Sequence, residues 1–158
     1  MKLLIKQRVF SWTDTYDIYD EFGEKKYLVK AEMFSFTHRI HIYDRMGGEI
    51  GTINQRFFSL MPAFDIEIGG VSCGSIEKQL SLFSPKYNID YNGWSCKGDF
   101  MAWNYNVYSE NRAVVHISKE IFSWGDTYVI DIEDPRDEIF ALMLAIAIDA
   151  ANCSNDRH

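Results

Sequence analysis

One stretch constrains this chain more than any other. From Ile139 to Ile148 there is no polar side chain, so a helix built from it has no face to give to water and must be surrounded by protein or lipid. Length decides between the two. Crossing a bilayer takes roughly 20 apolar residues, whereas a run of roughly 10–14 reads as a buried core helix. Here Asp137 and Glu138 bound the run on one side and Asp149 on the other. The start is well marked: Asp134 can cap, Pro135 suits the first helical position, and two acids occupy the first turn, where the helix dipole favours them. Asp149 is unfavourable for the dipole at the opposite end and reads as solvent-exposed. The segment from about 135 to 152 is expected to be the buried centre of the fold, with no stable transmembrane span.

At 158 residues the chain reads as a single domain, 1–158, large enough to bury about two-thirds of its unfolded surface. Its net charge of −7 and sequence pI near 5.0 argue against binding nucleic acid or an anionic membrane through bulk charge. The opening residues Met1 to Arg8 hold three consecutive apolar residues before charge resumes, which is not the core of a signal peptide. Cys73, Cys96 and Cys153 form no C-x-x-C pair and read as reduced thiols of a cytoplasmic protein.

Internal similarity defines what surrounds the helix. The segment Phe10 to Ile18 returns as Phe122 to Ile130 with seven of nine positions identical. A more diverged copy runs from Ile53 to Ser59 and resumes at Phe64-Asp65-Ile66, in register with Ile5 to Ser11 and Tyr16-Asp17-Ile18. Phe34-Ser35 and Phe83-Ser84 are weaker echoes. Turn signals fall between the copies, among them Gly47-Gly48, Gly69-Gly70 and Asn92-Gly93, which accept positive φ at both central positions of a tight hairpin. The flanks alternate with period two, as in Ile40-His41-Ile42-Tyr43 and Phe64-Asp65-Ile66-Glu67-Ile68, the pattern of strands with one buried face.

Twelve strands follow, at about 2–9, 14–21, 26–35, 38–45, 48–58, 63–69, 72–82, 86–91, 94–102, 104–109, 112–122 and 126–133. Short connections imply antiparallel neighbours, and a sheet of this length tends to close so that its edges disappear. Twelve strands roughly 4.8 Å apart and tilted by about 40° close at a diameter of roughly 24 Å. Wall side chains leave roughly 10–12 Å of that, about the diameter of one helix. The fold class is therefore mainly β with one buried helix: a closed antiparallel barrel, about 2–133, around a hydrophobic C-terminal helix.

A chain of this length that opens with Ile5-Lys6-Gln7-Arg8-Val9-Phe10-Ser11 and ends in a buried helix after twelve strands resembles the LURP-one-related family, whose fold is like those of the Tubby C-terminal domain and the phospholipid scramblases. The resemblance covers nearly the whole chain and rests on overall pattern. It implies the fold, and only by analogy a role: Tubby domains bind phosphoinositide head groups through a basic pocket, and scramblases act at membranes. It carries no catalytic residue and no cofactor onto positions of this sequence.

Among the residues themselves, Lys6 and Arg8 alternate on one face of the first strand, and Arg56 holds the place of Arg8 in the diverged copy. Together they are the candidate anion or lipid head-group site; the plainer reading is solvated charge on a half-exposed strand. His38 and His41 fall on opposite faces of one strand and do not surround a metal, and His116 reads as structural. The repeated Phe-Ser-Trp and Asp-Thr-Tyr residues read as packing of the barrel ends and turn chemistry. Gly69 to Gly74 lacks the lysine of a phosphate loop. Ser72-Cys73 and Ser95-Cys96 share a phase after their turns, and Asp65 with Glu67 shares a face without any further sign of catalysis.

The expected role is a non-enzymatic cytoplasmic binding or scaffold module, touching phospholipid at the membrane periphery or a protein partner, without nucleic acid. The alternative is a small-molecule or lipid-modifying enzyme at the barrel mouth. Release of the helix into a bilayer would strip apolar burial worth tens of kcal/mol at roughly 25 cal/mol/Å², and is disfavoured unless a partner refills the lumen.

Overall fold

In a computed structural model the chain is described over residues 1–6, 15–34 and 36–154. Twelve strands form one antiparallel sheet: β1 (Lys2–Ile5), β2 (Thr15–Asp20), β3 (Lys25–Phe34), β4 (Thr37–Tyr43), β5 (Glu49–Gln55), β6 (Ala63–Ile68), β7 (Val71–Gln79), β8 (Lys86–Tyr91), β9 (Trp94–Asp99), β10 (Asn104–Ser109), β11 (Arg112–Phe122) and β12 (Gly125–Ile132). A 3-10 turn over Pro135–Asp137 leads into the helix α1 (Glu138–Cys153). Asp134 caps that turn by accepting from the Arg136 amide, with Pro135 at its first position. The expected cap thus starts the 3-10 turn, one turn ahead of the α-helix proper.

Consecutive strands pair, and β1 pairs with β12 to bring the two ends of the sheet-forming chain together. The described part of the first repeated segment, in β2, and the later copy, in β12, lie on either side of β1: Leu4 faces Tyr19 of β2 and Val129 of β12. Inward positions alternate along the strands, as Ile40 and Ile42, Ile53, and Ile130 and Ile132 do. Every residue of α1 from Ala141 to Asn152 is buried, so the helix fills the lumen. At one point the fit demands glycine: a Cβ on Gly51 would stand 2.7 Å from Met143 Cε and 2.8 Å from the Glu67 carbonyl oxygen.

Two expectations change. Asp149 is not at the surface. It is buried near the end of α1, where burial pushes its carboxyl up to about 7 while a hydrogen bond from the Trp103 side chain works the other way. The helix runs the length of the lumen, so its last turns are wrapped as fully as its middle. The barrel is also nearly rather than fully closed, because β8 and β9 are the two ends of the hydrogen-bonded order. They are joined by the two-residue turn Asn92-Gly93, both at positive φ (53° and 66°), and no ladder follows it. Side chains hold this seam instead. Tyr91, Trp94 and Phe140 cluster inside it at one end, with ring centroids about 6 Å apart. At the other end Tyr87 meets Phe100 at 5.5 Å, and Asn152 of the helix accepts from the Tyr87 hydroxyl and donates to the Phe100 carbonyl at 2.9 Å.

The barrel has two distinct rims. Connections after even-numbered strands form the lower rim, where α1 begins beside Tyr91 and Trp94; connections after odd-numbered strands form the upper rim, where α1 ends against Phe100. Glu138 is fastened at the lower rim by Lys26 of β3.

Candidate functional site

A plugged lumen leaves the rims and the outer wall as places for function. Two residues of the predicted anion site, Lys6 and Arg56, lie toward the upper rim. Lys6, just past β1, lies over the rings of Tyr19 and Trp124, 4.4 and 5.3 Å from their centroids. Arg56, just past β5, forks onto Asp65 at 2.8–3.1 Å and approaches Glu77 at 3.9 Å. Strands β2, β3 and β4 stand between them, a separation of roughly 20 Å at ordinary strand spacing. Arg8 falls outside the described residues. Both described cations share a rim, therefore, without converging on one point.

On the outer wall His41 is held between two carboxylates, Glu32 at 2.7 Å and Glu49 at 2.8 Å, with the histidine hydrogen bond pulling the Glu32 carboxyl below its usual range. His38 points to the opposite, buried face. His116 pairs with Asn106 across β10 and β11 at 2.7 Å. Among the described residues no group of three or more His, Cys, Asp or Glu is placed to hold a metal.

Sequence reasoning missed a polar pocket inside the upper end of the lumen. Asp149 and Asn152, one helical turn apart, face Trp103, Tyr105 and Tyr87. The Tyr105 hydroxyl is fully buried with no hydrogen-bond partner among the described residues, and its ionisation is opposed by that burial first and by Cys96 and Asp149 next. Trp103 sits at φ 53°, a backbone setting uncommon outside glycine, which places its indole against the carboxyl. A groove of about 620 Å³, lined by Lys86, Tyr87, Cys96, Lys97 and Phe100, follows the seam outside this pocket. Cys96 is a poor nucleophile there, because burial pushes its thiol up to about 12 and the thiolate is the reactive form. Only Asp149, an acid closing an otherwise apolar helix run, carried a trace of this pocket in the sequence.

The aromatic repeats also depart from expectation. Phe57, Phe58 and Phe83 do not pack the barrel end; they stand in solvent on upper-rim loops. The strands stop earlier than the repeat pattern suggested, at Gln55 and Gln79, leaving these side chains beyond the wall. The last copy is half-packed: Phe122 stacks on Trp124 at 4.8 Å, and the Trp124 indole donates to the buried Thr127 hydroxyl at 2.8 Å. Phe10, Trp12 and Asp14 fall outside the described residues.

The profile of the LURP-one-related family matches residues 1–149. The uncharacterized protein YxjI of Bacillus subtilis (strain 168) is 28% identical over 149 residues, covering 94% of this chain and 92% of that protein. The X-ray structure of the Arabidopsis thaliana protein AT5G01750 superposes with a TM-score of 0.62 at 14% identity, over 94% of this chain and 90% of that one; at that identity it speaks to the fold.

Proposed function

The chain belongs to the LURP-one-related family, and on that premise we propose that it is a non-enzymatic binding module, cytoplasmic and peripheral at the membrane, that presents its upper rim to phospholipid head groups or to a protein partner. The observation that carries this reading is the filled lumen. With α1 buried from Ala141 to Asn152, the helix occupies the lumen, which favours recognition at the rims and outer wall. Lys6, Arg8 and Arg56 are the head-group contacts of this proposal; engaging an anion would exchange the Asp65 partner of Arg56 for a phosphate oxygen, to which a guanidinium is equally suited. Among the described residues no helix is long and apolar enough to cross a membrane.

Flotation of the purified protein with vesicles of defined composition, with and without phosphoinositides and at low and moderate salt, tests the proposal. Salt-sensitive, head-group-selective binding that weakens in Lys6→Glu, Arg8→Glu and Arg56→Glu is the expected result. Equal binding by the three variants removes these residues from the proposal.

One observation favours the alternative of a small-molecule or lipid-modifying enzyme at the barrel mouth. An acid held near pH 7 at Asp149 has the poise of a general acid or base. Against it stands access, since Asp149 and Tyr105 are buried behind the seam. Turnover of any lipid or ester by the native protein that Asp149→Asn abolishes without loss of fold would move the conclusion to this alternative.

A further inference from the structure

The upper rim is strongly apolar. Phe58, Leu60, Leu82 and Phe83 are each more than nine-tenths exposed, and Phe36, Phe57, Met101 and Trp124 are about half exposed or more. These residues come from five successive connections around one end of the barrel: the β3–β4 turn and residues 56–62, 80–85, 100–103 and 123–124. Two of the loops touch, for Phe36 and Phe57 approach at 6.1 Å, and within its own loop Phe57 packs edge-on against Phe58 at 4.3 Å. Scattered exposed apolar residues need no explanation, but eight gathered on the loops of one barrel end mark an interaction surface.

Resting on the binding-module reading above, we propose that this rim docks on a lipid bilayer by inserting its apolar loop tips below the head groups. Two features select a bilayer over a folded partner. The tips are distributed around a ring, so they meet a plane together, whereas a protein partner fits a groove or a single compact patch. Charge is sorted along the barrel axis as well. The four upper-rim loops just named from 56–62 to 123–124 contain no acidic residue, and Arg56 is their one charge. The lower rim carries Glu21, Glu24, Asp44, Glu110, Glu133 and Asp134, with Arg45 among them. On the adjoining strand ends Asp65, Asp99 and Asp126 are engaged by Arg56, the Ala102 amide and Lys119, so the apolar tips themselves offer an anionic surface no acid. Phenylalanine, leucine and tryptophan are the side chains that settle at the boundary between head groups and acyl chains.

Vesicle partitioning separates this inference from the head-group reading on which it rests. The protein is mixed with vesicles of phosphatidylcholine alone and of phosphatidylcholine with phosphatidylserine, at low and high salt, and with vesicles carrying brominated acyl chains that quench tryptophan emission at depth. The variants are Phe58→Asp with Leu60→Asp, and Leu82→Asp with Phe83→Asp. Phe22→Asp and Met46→Asp, equally exposed on the lower rim, are the controls. All of these side chains lie in solvent, so thermal melting should be unchanged and certifies the fold.

Insertion predicts binding that persists at high salt, quenching by the brominated chains, and partitioning at least about tenfold weaker in each upper-rim double variant, with the controls unaffected. Binding that falls only with Lys6→Glu, Arg8→Glu and Arg56→Glu, is salt-sensitive and gives no quenching would overturn insertion while leaving the head-group reading intact. Absence of binding to every vesicle would overturn both. Concentration-dependent dimerisation that the double variants abolish, without vesicle binding, would assign the rim to a second copy of the chain and overturn the bilayer.

Discussion

Asp149 is the residue whose environment contradicts its chemistry most sharply. Its carboxyl is raised from an ordinary 3.8 to about 7 by burial, so the folded chain prefers it neutral. Below about pH 4 both folded and unfolded chains hold the proton, and the residue costs nothing. Between about pH 4 and pH 7 the unfolded chain releases it while the folded chain retains it, so stability falls as pH rises, and then levels off. A rise of that size corresponds to about 4 kcal/mol. Asp149→Asn keeps the shape and removes the proton. Its stability by urea unfolding should match the native protein near pH 4 and exceed it at pH 8 by an amount of that order. A difference between the two that is flat across this range would show that the carboxyl is solvated. Gly51 is the opposite case, a residue whose role is to have no side chain where Met143 presses on the wall. Hydropathy could not reveal either role, because each depends on which wall residue meets which turn of the helix.

At the scale of elements, α1 and the strand count were legible because each follows from a one-dimensional pattern. A run without polar residues needs complete enclosure, and a hairpin repeat needs closure. Leu144→Asp tests the consequence, since it sets an unpaired charge on a helix turn with no exposure. Loss of at least about 3 kcal/mol, or failure to accumulate as soluble protein, is expected; an unchanged melting temperature would mean that the helix is not enclosed. Strand ends were much less legible. The Phe-Ser copies read as continuations of β5 and β7, because an apolar residue next to a strand looks the same whether it turns inward or leaves the sheet. Arg56 likewise joins Lys6 and Arg8 in one predicted site because it holds the place of Arg8 in the diverged copy, although equivalent places in a barrel point to different parts of the rim.

For the molecule as a whole, the barrel is a ring with one unlaced joint. Eleven of its strand pairs are backbone ladders, while β8 and β9 are held together by aromatic contacts and by Asn152. The outward-facing edge amides of these two strands should exchange with solvent faster than those of β3 or β11, which are laddered on both sides. Asn152→Ala should accelerate that exchange locally, by removing hydrogen bonds worth about 1 kcal/mol each, and leave β1 and β12 unchanged in hydrogen-exchange mass spectrometry. Uniform acceleration around the ring would show that the seam is not a separate joint.

The place of the seam also bears on how the chain is made. The joint without a ladder lies between strands that are neighbours in sequence, whereas the ladder that closes the ring, β1 with β12, unites residues that leave the ribosome first and last among the strands. During synthesis the wall must therefore wait, curled but unclosed, until its final strand appears, and the plug that gives it a core emerges only afterwards. A wall fastened at every joint would have to break backbone bonds to admit that helix; this one needs only to part a few side chains.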